Sequence, residues 1–176
     1  HSYGSAWANA GNTPFRLYKH YCHEGGIRTP FIAHWPAQLR PRRSQALAMG
    51  TDLLPTLLAE LNLPAPTDRL LDGRNIASAL RGGASPHDVV YYYGAGTLMA
   101  VRDAKYKYRD AKPVIYATDP VSIPLWPKRG PWLHDLKSDP DESYDISMRH
   151  PQVAARLKAA LDARNQAMAE NPRGWK

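Results

Sequence analysis

Six residues able to do polar chemistry fall within nine consecutive positions near the start of the chain: Arg16, Lys19, His20, Cys22, His23 and Glu24. Lys19 would offer a compact positive charge with its ammonium donors to an oxyanion whose charge is spread over several oxygens. His20 and His23 could each donate a hydrogen bond or act as an acid near neutral pH. The same residues also fit a polar loop packed by Tyr18 and Tyr21, with Lys19 standing in solvent. Arg16 reads as an anion contact or, more readily, as the partner of a carboxylate, with Glu24 a candidate, and Glu24 reads as a loop-shaping residue more than a metal ligand. Gly25 and Gly26 would let the backbone turn sharply behind this group.

The single cysteine, Cys22, cannot pair within the chain and is expected to be a small buried or half-buried thiol. Asp52 and Asp72 sit where a helix start and a turn need caps. Asp135, Asp139, Asp141 and Glu142 form an acidic cluster that could suggest calcium, but the spacing of a helix–loop–helix calcium site is absent. The Tyr91 to Tyr93 triplet and the pair Tyr106 and Tyr108 read as packing on a sheet face.

Several elements must position these residues. The first 28 residues, with Gly and Pro interleaved among aromatics, read as an irregular loop on a scaffold. Thr29 to Trp35 reads as a short buried strand entering a central sheet, and Thr51 to Leu61 as a helix with leucines three and four apart. A shorter helix is expected over Asn75 to Leu80. Beyond Asp88 the texture turns to strands: Val89 to Tyr93, Leu98 to Arg102, Tyr106 to Arg109 after a tight Asp103-Ala104 turn, and Trp132 to Leu136. Residues 111–131 read as a long proline-rich connection. An amphipathic helix opens at Pro151 and presents Val153, Leu157, Leu161 and Met168 on one face. The expected architecture is α/β followed by α+β, divided near residue 85 into 1–85 and 86–176, with an antiparallel sheet that is wet on one face and closed by the last helix.

The 176 residues are 43% hydrophobic and 22% charged, an ordinary balance for a folded domain and not for a disordered one. The apolar runs are far shorter than the roughly 20 residues that cross a bilayer, so the chain reads as soluble, with no membrane partner. A net charge of +7 makes a polyanion worth weighing, and a basic polyanion-binding module is one reading. Arg40, Arg42 and Arg43, and the alternating Lys105, Lys107 and Arg109, are nonetheless scattered and outside any nucleic-acid motif; they read as solvated surface, with no nucleic-acid partner. The chain opens at His1 in aromatic- and turn-rich sequence, which reads as the interior of something longer.

The run from Asn12 to Pro36, centred on Lys19-His20-Tyr21-Cys22-His23-Glu24-Gly25-Gly26, resembles the bacterial arylsulfatase branch of the type I sulfatases. Further signatures follow in that family's order: Thr51-Asp52-Leu53-Leu54-Pro55-Thr56-Leu57, Leu71-Asp72-Gly73, Ala100-Val101-Arg102-Asp103-Ala104-Lys105-Tyr106-Lys107, and Leu133-His134-Asp135-Leu136 leading to Asp139-Pro140-Asp141-Glu142. The resemblance implies the tail of an alkaline-phosphatase-like α/β sulfatase domain, followed by the small sheet and its helix. It implies hydrolysis of sulfate esters by the intact parent, with a formylglycine nucleophile and a calcium or similar divalent cation. Lys19, five residues before the Glu-Gly-Gly, takes the place of the family's sulfate-holding lysine, and His23 is a second candidate.

Other family parts are missing. The formylglycine precursor motif is C/S-x-P/A-x-R, and neither Cys22-His23-Glu24-Gly25-Gly26 nor Ser44-Gln45-Ala46-Leu47-Ala48 satisfies it. The Asp-Asp and Asp-Asn pairs that would hold the cation are also absent, so this chain alone is expected to bind no cofactor and to be close to inactive. A phosphonate or phosphodiester hydrolase of the same superfamily is an alternative reading. Self-association through a truncated core is a further expectation, and the compartment, bacterial cytoplasm or periplasm, is open.

Overall fold

The computed structural model describes residues 4–19, 21–94, 96–111 and 130–171. His20 and most of the proline-rich connection lie outside these residues. The chain divides into two compact units, one made of residues 1–29 with 91–166, the other of 30–90 with 167–176.

The first unit is built on a four-stranded sheet: β1 (Val90–Gly94), β2 (Thr97–Arg102), β3 (Tyr106–Arg109) and β4 (Trp132–Asp135), in that spatial order. The β2/β3 and β3/β4 pairs are antiparallel, and Arg102 and His134 both pair with Lys107. Asp103 makes the tight turn between β2 and β3, its Oδ1 accepting the N–H groups of Lys105 (2.8 Å) and Tyr106 (2.6 Å).

Side chains alternate across a sheet, so Val101, Tyr108 and Leu133 share one face and Arg102, Lys107 and His134 the other. The long helix α5 (Pro151–Glu170) buries Leu157 and Leu161 completely. It is tied to β1 by Arg164 Nε donating to Tyr93 Oη at 2.8 Å and Tyr91 Oη donating to the Ala160 carbonyl.

The opposite face is not wet. Lys107 and Arg109 of β3 are both buried there, which corrects the reading of the two as solvated charge. Their cover is the N-terminal segment, which is also more ordered than its composition implies. It forms α1 (Gly4–Gly11) and the one-turn α2 (Glu24–Ile27), where an irregular loop was expected. The polar residues Asn9 and Asn12, at and just past the end of α1, do the anchoring that an apolar face does in an ordinary amphipathic helix.

The second unit holds a 3₁₀ turn (Gly50–Asp52) running into α3 (Leu53–Glu60), and the one-turn α4 (Ala77–Leu80). The two sequence signatures of this unit interlock. Asp52 is fully buried, and its carboxylate accepts the N–H of Met49 at 2.7 Å and of Arg74 at 2.9 Å while lying 2.9 Å from His87 Nε2. A Cβ at Gly73 would fall on the Thr51 carbonyl, so that approach needs glycine. Thr56 continues the knot, donating to the Asp52 carbonyl at 2.6 Å and accepting the Ile76 N–H at 3.0 Å.

Thr29 to Trp35 is not a strand. Its backbone makes no ladder among the described residues, and Ile32 is 88% exposed. An apolar run becomes a buried strand only where a neighbouring strand can take its N–H and C=O groups.

Candidate functional site

The candidate site is the loop from Arg16 to His23. Asn9 Oδ1 accepts the Leu17 N–H at 2.9 Å, and Asn12 Nδ2 donates to the carbonyls of both Leu17 (2.7 Å) and Gly25 (2.9 Å). The Gly25 N–H in turn donates to the Arg16 carbonyl at 3.1 Å.

The backbone approach is so close that a Cβ on Gly25 would fall on the carbonyl oxygens of Arg16 and Leu17. One on Gly26 would fall on those of Tyr18 and Tyr21. The two glycines are therefore the floor on which the backbone of Arg16, Leu17, Tyr18 and Tyr21 rests. Leu17 is buried and takes a left-handed backbone (φ +63°), which carries the chain out to Tyr18 and Lys19. Tyr18 and Tyr21 meet edge to face at 5.4 Å. Lys19 stands exposed on this held loop.

His23 occupies a different place. It is 1% exposed, and its Nε2 meets the Arg109 guanidinium, which has only protons to give; the imidazole therefore accepts there and is uncharged. Burial, with the Arg109 and Lys107 charges added, holds its pKa well below 6.5. Cys22, next to it, is buried, and burial pushes its thiol pKa up.

Glu24 is the centre of a buried charged cluster. Its Oε1 lies 3.0 Å from Lys107 Nζ, its Oε2 lies 2.9 Å from an Arg102 nitrogen, and its backbone N–H donates to Glu142 Oε2 at 2.6 Å. Lys107 Nζ also lies 2.9 Å from Glu142 Oε1. Burial alone would raise the Glu24 pKa, but the Lys107 and Arg102 charges outweigh it and hold the carboxyl below its ordinary range.

Arg16 is not the partner of Glu24: its guanidinium reaches Ser143 instead. Glu24 shapes the loop as expected, through Lys107, Arg102 and Glu142, none of which the sequence had singled out for this. Lys107 had a visible signal, a basic residue alternating with tyrosines in a strand, but its burial follows from what covers the sheet.

The acidic stretch after β4 forms a turn. The Asp139 carboxylate accepts the N–H groups of Ser143 and Tyr144, each at 2.9 Å, and Glu142, with φ +57°, points inward to Lys107. His134, beside it, is buried, which lowers its pKa.

The calcium implied by the resemblance does not fit these residues. The oxygens of Asp52, Glu24 and Glu142 are already taken by N–H donors and cationic side chains, and no group of three or more metal-ligating side chains occurs among the described residues. Among the same residues no helix is long and apolar enough to cross a membrane.

Residues 85–175 match the family described as the C-terminal region of aryl-sulfatase, and residues 1–63 match the sulfatase family. An N-acetylgalactosamine-6-O-sulfatase of Bacteroides thetaiotaomicron is 30% identical over 163 residues, covering 87% of this chain and 31% of the relative. Arylsulfatase A of Homo sapiens is 34% identical over 168 residues, covering 80% and 32%.

A solved Bacteroides thetaiotaomicron structure, titled for the metabolism of multiple glycosaminoglycans, superposes with a TM-score of 0.70 at 30% identity over 84% of this chain and 31% of that one. A Pseudoalteromonas sulfatase shares the fold with a TM-score of 0.73 at 23% identity, over 92% and 34%. The chain thus spans about a third of the length of the relatives it matches.

Proposed function

The chain belongs to the sulfatase family, and from that premise we propose that it is the carboxy-terminal part of an arylsulfatase-like sulfuric ester hydrolase in which Lys19 binds the sulfate group. The observation that carries the reading is the mounting of Lys19. A lysine on a freely moving loop would lose side-chain and backbone entropy on gripping an anion. Here the backbone is fixed before any ligand arrives, by Asn9, Asn12 and the Gly25-Gly26 floor, while the side chain stays exposed. A preorganised cation of this kind stabilises charge on sulfate oxygens without reorganising as the ester bond breaks.

His23 is the second residue of the proposal. Its burial and lowered pKa support a role as an uncharged group held by Arg109, not as a charged acid at neutral pH. The formylglycine nucleophile and the divalent cation are assigned to the two thirds of the family's length that this chain does not span. The hydrated formylglycine would supply the attacking oxygen, and the cation, when bound, its activation. The division of the sequence near residue 85 belongs to the same proposal, and the start of the aryl-sulfatase C-terminal match at that residue supports it.

The test is turnover of a generic aryl sulfate by the sulfatase that contains this chain, with the isolated chain measured in parallel. Replacing Lys19→Ala is expected to lower kcat/KM by roughly 100-fold, the scale of losing one preorganised charge contact. Turnover of an aryl sulfate that survives this change undiminished overturns the assignment of Lys19. A parent that cleaves phosphodiesters or phosphonates and leaves sulfate esters intact would move the reading to the phosphoryl branch of the superfamily.

A further inference from the structure

We propose that Lys107 is a positioning residue for Lys19: held between Glu24 and Glu142, it fixes the Glu24–Gly26 turn on the sheet and, through that turn, sets where Lys19 meets the sulfate. The inference rests on the role proposed above for Lys19.

Lys107 has no solvent contact, and its ammonium lies 3.0 Å from Glu24 Oε1 and 2.9 Å from Glu142 Oε1. Charges so placed are costly to bury, and replacing a whole buried ion cluster by apolar residues of similar volume is often no worse for stability. Stability is therefore a weak reason for a lysine here. Its connections give another.

Glu24 is gripped at three points: its N–H by Glu142 and its two carboxylate oxygens by Lys107 and Arg102. Gly25 and Gly26 follow directly, and they are the surface on which the carbonyls of Arg16, Leu17, Tyr18 and Tyr21 rest. Asn12 then ties Leu17 to Gly25 with one amide group. A shift of Glu24 toward or away from β3 must carry this floor with it, and Lys19 with the floor.

Glu142 shows that the arrangement is enforced. It is a non-glycine residue in the left-handed region (φ +57°), held there by a turn that the Asp139 carboxylate closes, and that conformation aims its carboxylate inward.

The test is a double-mutant cycle in the sulfatase that contains this chain: wild type, Lys19→Ala, Lys107→Met and both together. Aryl sulfate kcat and KM would be read per folded molecule, with the folded fraction taken from near-ultraviolet circular dichroism. Misplacing a contact group by about an ångström can cost on the order of 100-fold, so Lys107→Met alone is expected to lower kcat/KM at least about tenfold. On the Lys19→Ala background the same change should alter it less than about twofold, because residues that act through one contact do not add. Lys107→Arg, which keeps the cation, should recover part of the loss.

Effects that multiply in the double variant, or a Lys107→Met enzyme with unchanged kcat/KM per folded molecule, overturn the proposal while leaving Lys19's own role standing. A silent Lys19→Ala overturns both readings together. If Lys107→Met does not fold, Glu142→Gln takes its place in the cycle. It keeps the side-chain shape and an acceptor for the Glu24 N–H but removes the charge facing Lys107, and the same non-additive pattern is required of it.

Discussion

Lys107 and Glu24 form a fully buried ion pair, Nζ to Oε1 at 3.0 Å, between the middle of a small sheet and the turn that supports the Lys19 loop. Lys107→Met would leave Glu24 and Glu142 facing each other with Arg102 as the nearest remaining cation on Glu24. Removing one partner of a buried pair costs about 3–5 kcal/mol, so urea unfolding of the Lys107→Met chain should show a loss of that size. Lys107→Met with Glu24→Gln and Glu142→Gln should regain part of it, since the uncompensated carboxylates are then gone. A single variant as stable as wild type would show that the pair is not buried in solution.

Gly25 and Gly26 predict a different kind of failure. Ala at either position forces a Cβ onto backbone carbonyls that cannot swing away as a side-chain tip could. Overpacking of this kind costs about 1–3 kcal/mol. The damage should be local: in Gly26→Ala the amide of Gly25 should lose hydrogen-exchange protection, while amides in β3 and β4 keep theirs. Uniform loss of protection across the sheet would contradict the view of the glycine pair as a floor for the loop alone.

Acid sensitivity should appear in two steps. His23 and His134 have folded pKa values below their ordinary 6.5, so as pH falls below 6.5 the unfolded chain takes up protons that the folded one refuses. Stability is therefore present above that pH and is lost on the way down. Glu24, also depressed, contributes stability that is present above its ordinary 4.5 and is lost as pH falls further. Thermal melts between pH 7 and pH 3 should show Tm declining in both ranges, and His23→Gln should flatten the upper decline. An upper slope indifferent to that substitution would place His23 in solvent.

Much of the small sheet was legible in the sequence because strand alternation and turn chemistry are local. Tyr106–Arg109 has the bounds that its pattern predicts, and the other three strands agree to within one residue at each end. Pro151 opens the last helix as expected, and the deeply buried positions are two of the four periodic ones, Leu157 and Leu161. What failed was non-local. The burial of Lys107 and Arg109 depends on a segment some 80 residues earlier folding over them, and no window around β3 contains that fact. The opposite error at Thr29 to Trp35 has the same origin, since its composition is that of a strand but no strand pairs with it among the described residues. Lys19 was legible as a candidate through the resemblance of its stretch to the sulfatases, but the clamp that holds its loop depends on the side chains of Asn9 and Asn12, whose bonds to Leu17 and Gly25 no local pattern displays.

Asp52 supports a prediction independent of the Lys19 loop. Its carboxylate receives the N–H groups of Met49 and Arg74 and faces His87, so it joins a 3₁₀ turn, the Gly73 approach and the segment before β1 in one buried knot. Asp52→Ala removes the acceptor for two backbone donors at once, and each buried donor left without a partner costs about 1–3 kcal/mol. The second unit should therefore lose roughly 2–5 kcal/mol, the range for breaking a buried hydrogen-bonded network. Asp52→Asn keeps one acceptor oxygen and should fall between the variant and wild type. Hydrogen exchange at Met49 and Arg74 gives the direct readout: both amides should be protected in wild type, one in Asp52→Asn and neither in Asp52→Ala. Protection of both in the alanine variant would mean that another group accepts them and that Asp52 is not the centre of the knot.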